Sequence, residues 1–214
     1  MPKPKRKPSK KIFAVILLVV CVAVIFGLKL WRQQSLKSHE FRTGALAKVK
    51  GPEDAPIRLI EFFDFQCPSC AKGAVYLKEF IKKYPEKIRL EARYYPLANH
   101  QHGFTSALYA ECAARQGLFW PFYDYLFNTQ MQWSSLHDAR PFFERIAKGL
   151  DLDMKKFDAC LENKEVKQLI ERSKEEGKML GIESTPSFFI NEKLFVGTHQ
   201  LEEELNKLLG ETHN

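Results

Sequence analysis

The sequence predicts an α/β protein in which a mixed sheet, covered by helices on both faces, contains an all-helical insertion. Three observations predict this architecture. A strand–helix–strand pattern occupies residues 57–95, helical periodicity continues from about residue 100 to 180, and a strand–strand–helix pattern occupies residues 187–209. An uncharged apolar segment, residues 12–28, precedes them and predicts one N-terminal transmembrane helix.

The N-terminal segment is typical of an uncleaved signal anchor over residues 12–31. As a helix it would span roughly 30 Å when Lys29 snorkels and Trp31 is included, which matches a bilayer core. Six basic residues lie within residues 1–11. The positive-inside rule therefore predicts a single-pass protein of the inner (cytoplasmic) membrane, with this basic tip in the cytoplasm and the rest on the extracytoplasmic, periplasmic side. A cleaved signal peptide is the alternative, although no A-x-A-like site follows.

The distribution of charge argues against nucleic-acid binding. The chain has a formal net charge of +7, but residues 1–33 contain eight basic residues and no acid. Residues 34–214 therefore have 25 basic and 26 acidic residues and are almost neutral. We expect a polar tether over residues 32–50 and one folded domain over residues 51–212.

The predicted elements of the domain follow from residue type and periodicity. Residues 57–65 and 88–95 are expected as parallel strands, because a helix over residues 71–84 connects them by a right-handed crossover. Five helices are predicted in the insertion, at residues 104–116, 118–129, 136–149, 153–162 and 164–180. Most aromatic side chains of residues 119–127 are expected in the core. Residues 187–190 and 194–196 predict an antiparallel pair, and residues 201–209 an amphipathic helix.

The motif Cys67-Pro68-Ser69-Cys70 carries the chemistry. The first sulfur lies near the amides of a helix N-terminus, which favour the thiolate, and the second sulfur can close a small disulfide. Pro68 suits the first helical turn, where its missing N–H is not needed. Structural zinc sites use the same spacing but require two more ligands, so we expect neither a metal nor another bound cofactor.

The segments EFFDFQCPSC and GIESTPSFFIN, with the helical block between them, resemble the DsbA-like branch of the thioredoxin superfamily over roughly residues 45–209. The resemblance implies a thioredoxin fold, with Cys67 as the nucleophile and Cys70 as the buried resolving cysteine. It also implies that Pro186 is a cis-proline facing the disulfide, with Thr185 binding an extended substrate by strand addition. Exported proteins with cysteines would be the substrates, and a membrane redox protein of the DsbB or VKOR type would recycle the pair.

Three residues near the motif invite specific expectations. Glu61 falls where the resembled proteins carry a buried acid, and burial would raise its pKa and let it relay a proton for Cys70. A salt-bridged or edge-facing Glu61 is the alternative. Asp64 is out of phase with Glu61 along the strand, so its side chain is expected to face the other side of the sheet and to have a structural role. Ser69 stabilises a thiolate less than the histidine of the best-known strongly oxidising members, which weakens the expected oxidising power.

The remaining cysteines and histidines are expected to be structural. The resemblance suggests a second disulfide between Cys112 and Cys160, and two buried free thiols are the alternative. His100 and His102 are expected in a polar loop or a helix cap, although the rim of the active site is another possible place.

The sequence thus predicts a membrane-anchored thiol–disulfide oxidoreductase that forms or exchanges disulfides in exported proteins. A disulfide reductase or isomerase is the alternative within the same class. From a different class, a thioredoxin-like module that handles copper or zinc through Cys67, Cys70 and a histidine is the rival.

Overall fold

The structure, a computed structural model, describes residues 17, 19–30 and 47–210. Residues 19–30 are helical, and the large apolar side chains among them are exposed. The anchor expected over residues 12–31 lies partly outside the described residues, as do the basic tip and most of the tether. Within the described ranges, no helix combines the length and the apolar character that crossing a bilayer requires.

A five-stranded mixed sheet forms the centre of the domain. Its strands are β1 (Val49–Lys50), β2 (Ile57–Phe63), β3 (Ile88–Tyr94), β4 (Ser187–Ile190) and β5 (Lys193–Val196). They lie in the order β1-β3-β2-β4-β5, with β2 and β3 parallel and the other neighbours antiparallel. The predicted mixed sheet is therefore confirmed. The predicted strands 57–65 and 88–95 end slightly early, at Phe63 and Tyr94.

Strand β2 is central, and its last three residues are buried on both faces of the sheet. Ile57 and Leu59 pack with the helix α1 (Pro68–Lys83), which follows the CPSC turn, and with the C-terminal helix α8 (Gly197–Leu209). Phe62 points to the other face and forms a small cluster with Tyr95 and Ile182. The alternation of side chains along β2 therefore places Glu61 on the same face as α1.

The insertion is helical, as predicted, and has its own aromatic core. Its helices are α2 (Gly103–Ala114), α3 (Phe119–Asn128), α4 (Gln130–Trp133), α5 (Arg140–Gly149), α6 (Met154–Leu161) and α7 (Lys164–Met179). Tyr109, Trp133 and Phe157 are almost fully buried, and the rings of Tyr109 and Phe157 make an edge contact with centroids 5.6 Å apart. The aromatic stretch 119–127 is mostly core, as expected, with Tyr125 about half exposed.

Two details of the insertion differ from the prediction. Residues 136–139, expected in a helix, form a loop, because the Asp138 carboxylate accepts the Arg140 N–H at 3.0 Å and the helix starts only there. The one-turn helix α4 was not expected, since four residues give no readable periodicity.

Helix α7 returns the chain to the sheet. The Ser173 hydroxyl donates a 2.8 Å hydrogen bond to the Tyr94 carbonyl at the end of β3. Gly177 of α7 packs so closely against the ring of Tyr95 that an added Cβ would be 2.7 Å from Tyr95 Cδ2. The insertion is thus fastened to the strand end beside which the CPSC turn lies.

Strand β1 corrects the expected boundary of the tether. Val49 and Lys50 fall within the range 32–50, yet they pair with β3, so the folded domain begins before residue 51. Lys48 beside them is buried and forms a 2.7 Å ion pair with Glu111 of α2. A two-residue edge strand shows no alternation, and its charged flanks are typical of a linker, so the sequence pattern does not reveal it.

Candidate active site

The CPSC turn lies at the N-terminus of α1, directly after β2. Cys67 is the N-cap residue, and its carbonyl accepts hydrogen bonds from the N–H groups of Cys70 (3.0 Å) and Ala71 (3.2 Å). Pro68 occupies the first turn, and both Pro68 and Ser69 are exposed. Cys67 is 7% exposed, whereas Cys70 is completely buried. Of the two sulfur-bearing side chains, only that of Cys67 is partly accessible.

The two thiols have opposite acidities. A hydrogen bond from Cys70 lowers the pKa of Cys67 to about 5, helped by the amides of Cys70 and Ser69, although burial acts against it. Burial raises the pKa of Cys70 well above its ordinary value, and the neighbouring Cys67 and the charge of Glu61 add to this. At neutral pH the reduced pair therefore consists of a Cys67 thiolate and a Cys70 thiol.

Thr185 and Pro186 lie beside Cys67. Their peptide bond is cis. Cys67 Sγ lies 3.4 Å from the Thr185 carbonyl oxygen, to which a thiol can donate. The Pro186 carbonyl accepts the Gly197 N–H at 2.9 Å, which holds the loop against the start of α8. The structure therefore brings together two segments about 120 residues apart that the sequence analysis had paired by resemblance alone.

Glu61 is fully buried, and its charge acts on Cys70. The Tyr123 hydroxyl, from α3, donates a 2.9 Å hydrogen bond to Glu61 Oε2, while Oε1 has no hydrogen-bond partner among the described residues. Burial raises the pKa of Glu61 to about 7, and the Tyr123 hydrogen bond and the charge of Lys50 limit the rise. Of the two positions considered for Glu61, the structure has the buried one, with no salt bridge to it among the described residues.

Asp64 fixes the chain between β2 and the motif. Its carboxylate accepts the N–H groups of Gln66 (2.8 Å) and Leu97 (2.7 Å), and it lies 2.8 Å from His100 Nδ1. Gly103 passes so close that an added Cβ would lie 2.7 Å from an Asp64 carboxylate oxygen. The structural role expected for Asp64 is therefore seen.

His102 is also part of the loop structure. Its ring is buried, and Nε2 lies 2.7 Å from the Leu136 carbonyl oxygen. Among the described residues, the ring contacts of His100 and His102 go to Asp64 and to the Leu136 carbonyl, and not to the thiols. In the described ranges, no group of three or more His, Cys, Asp or Glu side chains is arranged to hold a metal ion.

Three residues at this site were not singled out from the sequence. Lys50 comes from β1, with its ammonium 3.8 Å from the centre of the Trp120 ring. Tyr123 was expected only as core, and Gln130 was not considered. Gln130 Nε2 donates to the carbonyls of Phe65 (2.7 Å) and Cys67 (2.9 Å). No motif signals these residues, because each reaches the site through tertiary packing.

The remaining cysteine pair lies inside the insertion. Cys112 and Cys160 form a disulfide that links α2 to α6. Cys112 is fully buried beside the ion pair of Lys48 and Glu111. Of the two alternatives, a disulfide or two buried free thiols, the structure has the disulfide.

The family model described as Thioredoxin matches residues 47–211. The chain belongs to the thioredoxin family. Among curated proteins, it is 31% identical over 151 residues to a Na(+)/H(+) antiporter NhaA of Herminiimonas arsenicoxydans, a match that covers 71% of this chain and 23% of the antiporter. The chain thus spans about a quarter of the length of the curated relatives it matches.

Two solved structures of the thioredoxin type are similar to the domain. Wolbachia pipientis alpha-DsbA1 is 25% identical, with a TM-score of 0.65 and coverage of 76% of this chain and 90% of that one. A thioredoxin-like oxidoreductase from Silicibacter pomeroyi is also 25% identical, with a TM-score of 0.61 and coverage of 76% and 91%. These DsbA-type neighbours support a general role as a thiol–disulfide oxidoreductase.

Proposed function

We propose that this protein is a membrane-anchored, extracytoplasmic oxidoreductase that forms or exchanges disulfides in exported proteins through Cys67 and Cys70. The observation that carries this proposal is the opposite acidity of the two thiols, beside a cis Thr185–Pro186 bond. Because the pKa of the Cys67 thiol is about 5, its thiolate is a good leaving group. The stable thiolate also stabilises the reduced protein, which favours the oxidation of substrates.

In the oxidising direction, the Cys67–Cys70 disulfide is the electron acceptor. A substrate thiolate attacks Cys67 Sγ, a substrate–Cys67 disulfide forms, and the bond between Cys67 and Cys70 breaks. The electron pair of that bond leaves on Cys70, which takes up a proton. A second substrate thiolate then attacks the substrate sulfur, and Cys67 leaves as a thiolate. The substrate loses two electrons and gains a disulfide, while the pair becomes reduced.

Glu61 is placed to supply the proton for Cys70. Its pKa of about 7 leaves a protonated fraction at neutral pH, while the pKa of Cys70 lies well above that value, so transfer to the departing thiolate is downhill. The Tyr123 hydrogen bond fixes one carboxylate oxygen and leaves Oε1 for the proton. No bound cofactor is required in this scheme.

Substrate recognition is proposed to depend on backbone pairing beside Thr185. The exposed turn of Pro68 and Ser69 leaves Cys67 open on one side, and the cis-proline loop lies on the other. An extended segment around the substrate cysteine would lie between them and add to the loop by main-chain hydrogen bonds. Re-oxidation by a membrane protein of the DsbB or VKOR type is part of the proposal, as is the anchor over residues 12–31.

The proposal is tested by trapping substrates with Cys70→Ala in cells. In the exchange direction, the Cys67 thiolate attacks a substrate disulfide and displaces one substrate thiolate. Without Cys70 to resolve it, the resulting mixed disulfide should accumulate and appear as high-mass bands that a reductant removes. Cys67→Ala is the matched control, since it retains one motif cysteine and should trap nothing. If Cys70→Ala traps no protein, the catalytic proposal fails.

The direction of the reaction is tested by the reduction potential of the Cys67–Cys70 pair. A value near about −120 mV is that of a strong oxidase, whereas about −270 mV is that of a thioredoxin-type reductase. The low pKa of Cys67 leads us to expect a value on the oxidising side of about −200 mV. The location is tested by two further measurements. The protein should be found in the membrane fraction, and protease added to intact spheroplasts should degrade its folded domain.

A further inference from the structure

The side chain of Gln130 reaches from the insertion to the active-site turn. Its amide nitrogen donates to two backbone carbonyls, that of Phe65 at 2.7 Å and that of Cys67 at 2.9 Å. These carbonyls stand on either side of Gln66. Both hydrogens of one amide group are thus used to hold the three residues that lead into the helix of the nucleophile.

Gln66 makes the reciprocal contact in the opposite direction. Its side-chain amide donates to the Ser134 carbonyl at 2.8 Å, and its side-chain oxygen accepts the His102 N–H at 2.6 Å. Two glutamines therefore join the turn to the insertion through four hydrogen bonds. We call this arrangement the glutamine clamp, formed by Gln66 and Gln130.

The insertion side of the clamp is rigidly supported. Gln130 is itself buried and opens the one-turn helix α4, which ends at the fully buried Trp133. The Trp133 indole N–H donates to the Leu126 carbonyl at 2.9 Å, and its ring packs on Phe143 with centroids 5.1 Å apart. An amide held on such a support can impose a position on the turn instead of following it.

The Cys67 carbonyl connects the clamp to the thiol. It accepts hydrogen bonds from Cys70 N–H and Ala71 N–H as well as from Gln130. The orientation of this carbonyl sets the first turn of α1, and the same turn presents the amides of Ser69 and Cys70 to the sulfur. Rotation of the peptide group would move those amides away from Cys67 Sγ.

We infer that Gln130 is a positioning residue for the nucleophile, through which the helical insertion fixes the Cys67 peptide group and so maintains the Cys67 thiolate. It does not act on the sulfur directly, because its side chain donates to backbone carbonyls. The inference rests on the proposed role of Cys67, and it assigns the insertion a part in the chemistry beyond any part in binding substrates.

The test replaces Gln130 with methionine, which has a similar length and no N–H donor. The rate of alkylation of reduced Cys67 by iodoacetamide is measured from pH 3.5 to 9, and the midpoint of this profile reports the thiol pKa. We expect the Gln130→Met midpoint to rise by about one pH unit, a tenfold smaller thiolate fraction below it. The reduction potential should become more negative in parallel, because the thiolate form of the reduced protein is less favoured.

Gln132→Met is the matched control, because it makes the same replacement two residues along the same short helix at an exposed position. It should leave the midpoint and the potential unchanged. If Gln130→Met does not fold, as judged by circular dichroism, Gln130→Glu is used, since an ionised carboxylate of the same shape cannot donate and should shift the midpoint in the same direction.

A folded Gln130 variant with a lower melting temperature, but with an unchanged midpoint and potential, would overturn the inference, because a purely structural contact behaves in this way. The outcome is separate from that of the proposed function. Alkylation and potential need no substrate, so Gln130 can fail this test while Cys70→Ala still traps substrates, and the reverse also holds.

Discussion

Glu61 provides the most direct test of how burial tunes this site. Its carboxyl group is completely buried, with a hydrogen bond from Tyr123 as the contact that favours its ionised form most. Glu61→Gln keeps the shape and the ability to accept that bond but cannot ionise. The substitution therefore isolates the free-energy cost of a buried negative charge.

The magnitude follows from the two pKa values of the group. The carboxyl has a pKa of about 7 in the folded protein, against an ordinary value of 4.5. The folded form binds more protons between these values, so the contribution of Glu61 to the stability of the wild type falls as the pH rises from about 4.5 to 7 and is then level. The linkage relation gives a cost of about 0.8 kcal/mol at pH 5 and about 3.3 kcal/mol at pH 8.

The assay is urea unfolding of the reduced proteins at several values between pH 5 and pH 8. The free energy of unfolding of Glu61→Gln minus that of the wild type should increase by about 2.5 kcal/mol over this range. Cys67 and Cys70 are present in both proteins, so their titration largely cancels from the difference. Glu86→Gln, at an exposed position, is the control and should give a flat difference.

A difference that stays constant within about 0.5 kcal/mol across this range would refute the reasoning, since it would mean that Glu61 titrates alike in the folded and unfolded chains. The same variant should also slow formation of the mixed disulfide at pH 7, because the departing Cys70 thiolate loses its proton donor. Stability at high pH and speed of turnover are thus expected to change in opposite directions.

Other substitutions test separate parts of the structure. Alkylation of reduced Cys67 should be half-maximal near pH 5. Because the pKa of Cys67 is lowered in the folded state, its contribution to the free energy of unfolding of the reduced protein should increase from about pH 5 to 9. Cys67→Ser should abolish this increase. The double variant Cys112→Ala/Cys160→Ala should lose about 4 kcal/mol of unfolding free energy in urea, from a separation of 48 residues, and keep its thiol pKa. Lys48→Met should cost about 3 kcal/mol because it leaves a buried carboxylate without its ammonium, whereas Lys78→Met, which breaks an exposed ion pair, should cost less than about 1 kcal/mol. Equal losses for the two lysines would contradict the assignment.

Much of the fold could be predicted from the sequence, because the long helices and strands show a periodic pattern of apolar residues. Strands β2 and β3 and the helices of the insertion were predicted with ends displaced by a few residues. The error at the tether has a physical cause: β1 has two residues and gains its place from pairing with β3. An edge strand of this length has no pattern of its own.

The candidate site divides in the same way. The spacing of Cys67 and Cys70 is local, so one helical turn relates them and the sequence suffices to predict their chemistry. The burial of Glu61 could also be predicted, because this acid stands inside an apolar strand. Gln130 and Tyr123 are ordinary residues of helices until the insertion folds over the sheet and brings them to the turn and to the acid.

The class of fold, the redox motif and the order of the elements could be predicted from the sequence, because periodicity and motif spacing involve residues near one another along the chain. The acidity of each thiol, and the groups responsible for it, became clear from the folded protein. Burial of Cys70 and Glu61, the approach of Thr185, and the hydrogen bonds from Gln130 all join distant segments. Acidity in a protein is set by burial and neighbouring dipoles, and both exist only once those segments have packed together.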